Sequence, residues 1–211
     1  KSLIAFVLLL SFKVNAQTDS LVRWKELEFT RPYESATFEN HFKKGITNFT
    51  ALFFANSPTA AQDVKNFEER FNATLKEIQT SELYKKKNDK KIKYIYQLVH
   101  SRFLSKYEAE NRFYEISRNG NYNCVTATAL YALFFEKLNI SYSIKEKPTH
   151  VYLVAYPNAD NILIETTTPV FGFLTFDNTY KSNFINNLKN QKIIGSSEAT
   201  NSTTDELFNK Y

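Results

Sequence analysis

The segment CVTATALYALFFEKL, residues 124–138, constrains this chain more than any other, because it is apolar on almost every side of the helix it spells. A helix at a protein surface keeps one polar face, so a helix without one must be enclosed by other elements. With 43% hydrophobic and 16% aromatic residues over 211 positions, the chain has the material to enclose it in a single core. Its four glycines are too few for the turn density of an all-β architecture.

Helical spacing runs through the first half. In SPTAAQDVKNFEERFNATLKEI, Ser57 stands as the N-cap and Pro58 at the first helical position, and Val64, Phe67, Phe71, Leu75 and Ile78 recur on one face. A second helix is predicted from about Asp89, with Ile92, Ile95, Val99 and Phe103 on its apolar stripe. A shorter one is predicted over Glu108 to Ile116, before SRNGN breaks the pattern. Asn139 is the expected stop of the central helix. Three strand-like runs follow, SYSIKE from 141, HVYLVAY from 150 and NILIETT from 161, the last two joined by the turn-forming PNAD. Helices, then one enclosed helix, then an antiparallel meander make an α+β fold.

The chain opens KSLIAFVLLLSFKVNA, with a basic start, a short apolar run and a Val-x-Ala pattern ending at Ala16. The run from Leu3 to Phe12 is about half of the ~20 residues a membrane-spanning helix needs, so residues 1–16 are predicted to be a secretory signal peptide cleaved before Gln17. The mature protein is then secreted or periplasmic, with no stable membrane insertion. Loss of Lys1 and Lys13 lowers the formal charge from +5 to +3, an excess too small to argue for a polyanionic partner, and no nucleic-acid partner is expected. The lysine run KKKNDKKIK (85–93) lacks interleaved aromatics and reads as a solvated linker and helix start. Residues 17–194 are expected to form the domain. GSSEATNSTT reads as a linker into a helix start at Thr203, whose capping-box partner is Glu206. On this reading 195–211 begin a C-terminal region that is cut short, leaving Leu207 and Phe208 without burial partners.

Cys124 is the only cysteine. A single thiol in an oxidising compartment forms no internal disulfide, so it is a small buried hydrophobe, an intermolecular link or a reactive group. At the start of a helix it meets the positive end of the helix dipole and backbone N–H groups able to receive an oxyanion. A nucleophilic thiol also needs a general base and a group that orients the base. His150 opens one strand and Glu165 stands near the end of the next. If the two strands pair as a hairpin around PNAD, His150 meets Glu165 or a neighbour, within about 5 Å at Cβ.

NCVTATALYALFFEKLNI, PTHVYLVAY and ILIETTTP together resemble the three core motifs of the bacterial transglutaminase-like superfamily, over about residues 110–170. The resemblance implies a papain-like fold in which Cys124 is the nucleophile, His150 the general base and Glu165 the orienting acid. It implies thiol chemistry on an amide or peptide bond of a peptide or protein substrate, by hydrolysis or acyl transfer, with no cofactor. Glu165 stands where aspartate is usual in the wider superfamily. Val125 follows the cysteine where animal cross-linking transglutaminases have tryptophan, so the pattern does not imply protein cross-linking. Asn121, Tyr122 and Asn123, just ahead of the cysteine, are candidate side-chain donors to an oxyanion.

Two other readings use the same residues. A non-catalytic binding or scaffold module of the same fold would keep Cys124 as core and pass a peptide or glycan to another domain. A zinc site from Cys124, His150 and Glu165 with an open fourth position is chemically possible, but no close-spaced ligand pair supports it, and no metal is expected. His41 and His100 have no comparable setting, and His100, next to Val99 on an amphipathic helix, reads as structural or exposed. Oligomeric state leaves no signal in the sequence.

Overall fold

The computed structural model describes residues 28–148, 150–167, 173–175, 178–204 and 206–207, so the leader expected over 1–16 and Phe208 lie outside it. The first half holds α1 (Pro32–Lys44), α2 (Phe49–Phe54), α3 (Ala60–Thr80), a 3-10 turn (Glu82–Lys85) and α4 (Asn88–Phe103). Then come β1 (Lys106–Tyr107), α5 (Phe113–Arg118), β2 (Asn121–Tyr122) and α6 (Cys124–Leu138). The last part holds β3 (Tyr142–Lys147), β4 (His150–Ala155), β5 (Ile162–Ile164), β6 (Phe173–Thr175), α7 (Asn178–Asn190) and α8 (Ser196–Asn201). β1 and β2 pair in parallel, and β3-β4-β5-β6 form an antiparallel sheet in sequence order. The fold is α+β, as the order of the sequence signals predicts. Among the described residues no helix is long and apolar enough to cross a membrane.

The apolar segment from 124 to 138 is enclosed from three directions. Phe134 lies 4.2 Å from the ring of Phe71 on α3 and packs edge-on against Phe103 of α4 at 5.6 Å. Tyr131, fully buried, donates its hydroxyl to the Tyr96 carbonyl of α4 at 3.0 Å. On the sheet side, Thr128 donates to the Val151 carbonyl of β4 at 3.3 Å. Each large apolar side chain buried this way stabilises the fold by about 1.5–3 kcal/mol. The stripes predicted on α3 and α4 supply the opposing surface: Phe67, Phe71 and Ile78 are buried with Val64 and Leu75 packed beside them, as are Ile92, Ile95, Val99 and Phe103. Asn139 ends α6 in the left-handed conformation, φ 52°, which a short amide side chain tolerates.

Three local expectations are corrected by tertiary contacts. α3 begins at Ala60 with Thr59 as N-cap, two residues later than Ser57 as cap would have it. The Ser57 and Thr59 hydroxyls are instead drawn to the buried carboxylate of Asp63, which Arg118 of α5 also grips at 3.1 and 2.7 Å. Burial acts to raise the Asp63 carboxyl, but the hydrogen bonds from Arg118, Ser57 and Thr59 outweigh it and hold it below the ordinary value. The helix expected from Glu108 starts only at Phe113, because the carbonyls of Ala109 and Asn111 are taken by the Asn123 amide. Within the lysine run, Lys91 is not simply solvated: its ammonium lies over the rings of Tyr84 and Tyr156 at 5.4 and 5.9 Å.

Toward the end of the chain, the segment read as a linker contains α8. Thr203 and Glu206 do form the predicted capping box, with Glu206 N–H donating to Thr203 Oγ1 at 3.2 Å and Thr203 N–H to Glu206 Oε2 at 2.7 Å. Leu207 is buried with Ile185 and Ile194, so it does not lack partners.

Candidate active site

Cys124 is the first residue of α6, half-buried, with its thiol free of any disulfide. The helix start is unusually well tied. Asn123 Oδ1 accepts from Thr126 N–H at 2.9 Å while the Thr126 hydroxyl accepts from Asn123 N–H at 2.9 Å, a reciprocal cap. The Asn123 amide donates onward to the carbonyls of Ala109 at 2.9 Å and Asn111 at 3.4 Å. The Thr126 hydroxyl reaches Asn111 Oδ1 at 3.1 Å. This corrects the expectation for Asn123, whose donors are already used. Tyr122 is also withdrawn, its buried ring lying between His100 and Tyr107. Among the described residues, the backbone N–H groups of Cys124 and Val125 have no hydrogen-bond partner. They are the donors the geometry leaves for an oxyanion.

The hairpin of β4 and β5 forms as the strand runs predict. Its register pairs Leu153 with Ile164, so one step further Tyr152 stands opposite Glu165, and His150 is the diagonal neighbour on the same face. The diagonal suffices: His150 Nε2 and Glu165 Oε2 are 2.5 Å apart, with side chains 27% and 21% exposed. Tyr152 stacks on the His150 ring at 6.0 Å. Glu165 is braced from its other oxygen by Thr167, whose N–H donates at 3.0 Å and whose hydroxyl donates at 2.6 Å. Burial alone would raise the Glu165 carboxyl, but the two Thr167 bonds and His150 outweigh it and hold it below the ordinary glutamate value. Glu165 is therefore ionised at neutral pH and fixes Nε2 as the nitrogen turned to the acid, leaving Nδ1 for a substrate or thiol proton.

One turn above Cys124, Thr128 is bonded to the carbonyl of Val151, the residue after His150. That contact docks the start of α6 at the end of β4 where His150 stands. Cys124 and His150 make no hydrogen bond to each other in this structure, so of the predicted trio the pair His150–Glu165 is joined and the thiol stands apart from it in bonding. Sequence reasoning missed Thr167, Thr128, Asn111 and Tyr96, which donates to the Glu165 carbonyl at 3.3 Å. Only Thr167 left a local signal, a hydroxyl two residues beyond a carboxylate, the spacing of a side-chain turn. Among the described residues no three His, Cys, Asp or Glu side chains converge as metal ligands. No family model, curated protein or solved structure matches this chain.

Proposed function

We propose that this protein is an exported thiol enzyme with a papain-like, transglutaminase-like core, acting on an amide or peptide bond by hydrolysis or acyl transfer. The observation that supports it most is the 2.5 Å contact between His150 Nε2 and Glu165, on a strand whose Val151 carbonyl accepts from Thr128, one turn along the helix that the one thiol begins. In the reaction His150 Nδ1 takes the proton of Cys124, and Sγ bonds to the carbonyl carbon as the C=O electron pair moves onto oxygen. The N–H groups of Cys124 and Val125 receive that oxyanion. Collapse breaks the C–N bond, the amine leaves with the proton from His150, and a thioester remains. Water or a second amine then gives its proton to His150 and attacks the thioester carbon. The C–S bond breaks, Cys124 regains its proton, and the acid or the new amide is released. Glu165 stays ionised and stabilises the imidazolium through Nε2.

The alternative, a non-catalytic module of the same fold, is favoured by one observation, that Cys124 and His150 share no hydrogen bond. Native-state alkylation of Cys124 between pH 6 and 9 separates the two. The enzyme reading expects labelling of the folded protein, falling about tenfold or more in His150→Ala near neutral pH. A thiol that is silent until denaturant is added establishes the binding module instead.

A further inference from the structure

We propose that His100 is a positioning residue for this site, its ring holding the strand that leads into Cys124 in register with the strand end that carries Glu165. The inference rests on the reading of Cys124, His150 and Glu165 as the reacting group, and it concerns a residue outside that trio.

Tyr96 and His100 stand one turn apart on α4, so they share a face. Their rings pack at 6.1 Å. Tyr96 donates its hydroxyl to the Glu165 carbonyl at 3.3 Å, and its own carbonyl accepts from Tyr131 of α6. On the other side His100 meets the Tyr122 ring edge-to-face at 6.0 Å, 81° between planes. Tyr122 is the last residue of β2, and only Asn123 separates it from Cys124. A continuous layer, Tyr122 to His100 to Tyr96 to Glu165, thus joins the backbone before the thiol to the backbone at the acid.

His100 sits in that layer through ring contacts on both sides. Its Nε2 is buried and unpartnered among the described residues, and so is the hydroxyl of Thr166, the residue after Glu165. The ring is therefore held by shape. Burial pulls the His100 imidazole below the ordinary histidine value. The titratable rings facing it, Tyr96 of its own helix and Tyr122 of β2, are both raised by burial, Tyr96 to about 12, so these rings are uncharged at neutral pH and the charge at that end belongs to the Glu165 carboxylate. Removing the ring leaves space under Tyr122 and beside Tyr96 at once, freeing both ends of the site to shift. A displacement of about 1 Å in a reacting group costs roughly 100-fold in rate, so even partial relaxation is measurable.

The test uses the full chain as His100→Ala, His100→Leu and His100→Phe, with urea unfolding to fix the folded fraction. Two readouts are taken: the rate of Cys124 alkylation from pH 5 to 9, and the nitrogen NMR shift of His150 Nε2, which reports its bond to Glu165. Alanine and leucine are expected to slow native alkylation by about fivefold or more near neutral pH, to move the pH profile, and to shift the His150 signal away from its bonded position. Phenylalanine, which restores the ring without the nitrogen, is expected to recover both readouts to within about twofold. The leucine variant keeps the test open if alanine does not fold. The proposal is overturned if folded alanine and leucine variants keep the wild-type profile and His150 signal, or if phenylalanine fails as badly as alanine. A wild-type thiol that never reacts in the folded state sinks the catalytic reading, while the His150 signal still decides whether His100 positions the pair.

Discussion

Glu165→Gln keeps the shape of the side chain and removes its charge, which isolates what the carboxylate contributes. In the wild-type protein the group takes three hydrogen bonds, from Thr167 N–H at 3.0 Å, Thr167 Oγ1 at 2.6 Å and His150 Nε2 at 2.5 Å. A hydrogen bond to a charged group is worth about 1.5–3 kcal/mol and a neutral one about 1. Glutamine retains some of these bonds, and the side chain is 21% exposed to screening solvent, so the expected loss at pH 7 is about 1–2 kcal/mol. Its pH dependence has a definite sign. The folded-state pKa of Glu165 lies below its unfolded value, so the stabilisation is fully present above about pH 4.3 and is lost as pH falls through the folded pKa. Urea unfolding of both proteins at pH 7, 5.5, 4 and 3 should show a gap that is present at the first two and shrinks across the last two. A gap under about 0.3 kcal/mol at pH 7, inside the usual spread for surface substitutions, or one that stays unchanged to pH 3, would refute the role given to the charge.

Asn123→Ala removes the cap of α6 and both donors to the 109–111 carbonyls; a loss of about 1–2 kcal/mol is expected, together with faster amide exchange at residues 108–112, and unchanged exchange there would show that the loop is held otherwise. Gly120 has φ +77°, and a Cβ at this position would lie 2.5 Å from Ser105 Oγ and 3.2 Å from the Phe103 carbonyl, so Gly120→Ala should cost roughly 2–4 kcal/mol in thermal or urea unfolding, and a neutral substitution would mean that the turn into β2 has room to move.

The sequence by itself determined what depends on spacing within a few turns or along one hairpin. The enclosed helix from Cys124 to Leu138, the stripes of α3 and α4, the stop at Asn139 and the Thr203–Glu206 box all follow from side chains that repeat or cap within about ten residues. The His150–Glu165 pair belongs here too, because only 15 residues and one turn separate them. Tertiary structure alone decided whatever rests on partners far apart in the chain. Ser57 loses its capping role to a carboxylate that Arg118 holds from 55 residues away. Residues 108–112 give up the helix their composition suggests because Asn123 takes their carbonyls. His100, which reads as an ordinary helix residue, becomes the middle of an aromatic layer only when β2 packs across α4. The reason is common to all three: a polar or aromatic side chain has several partners available locally, and which one it takes is set by packing free energy that exists only once the core around α6 has closed.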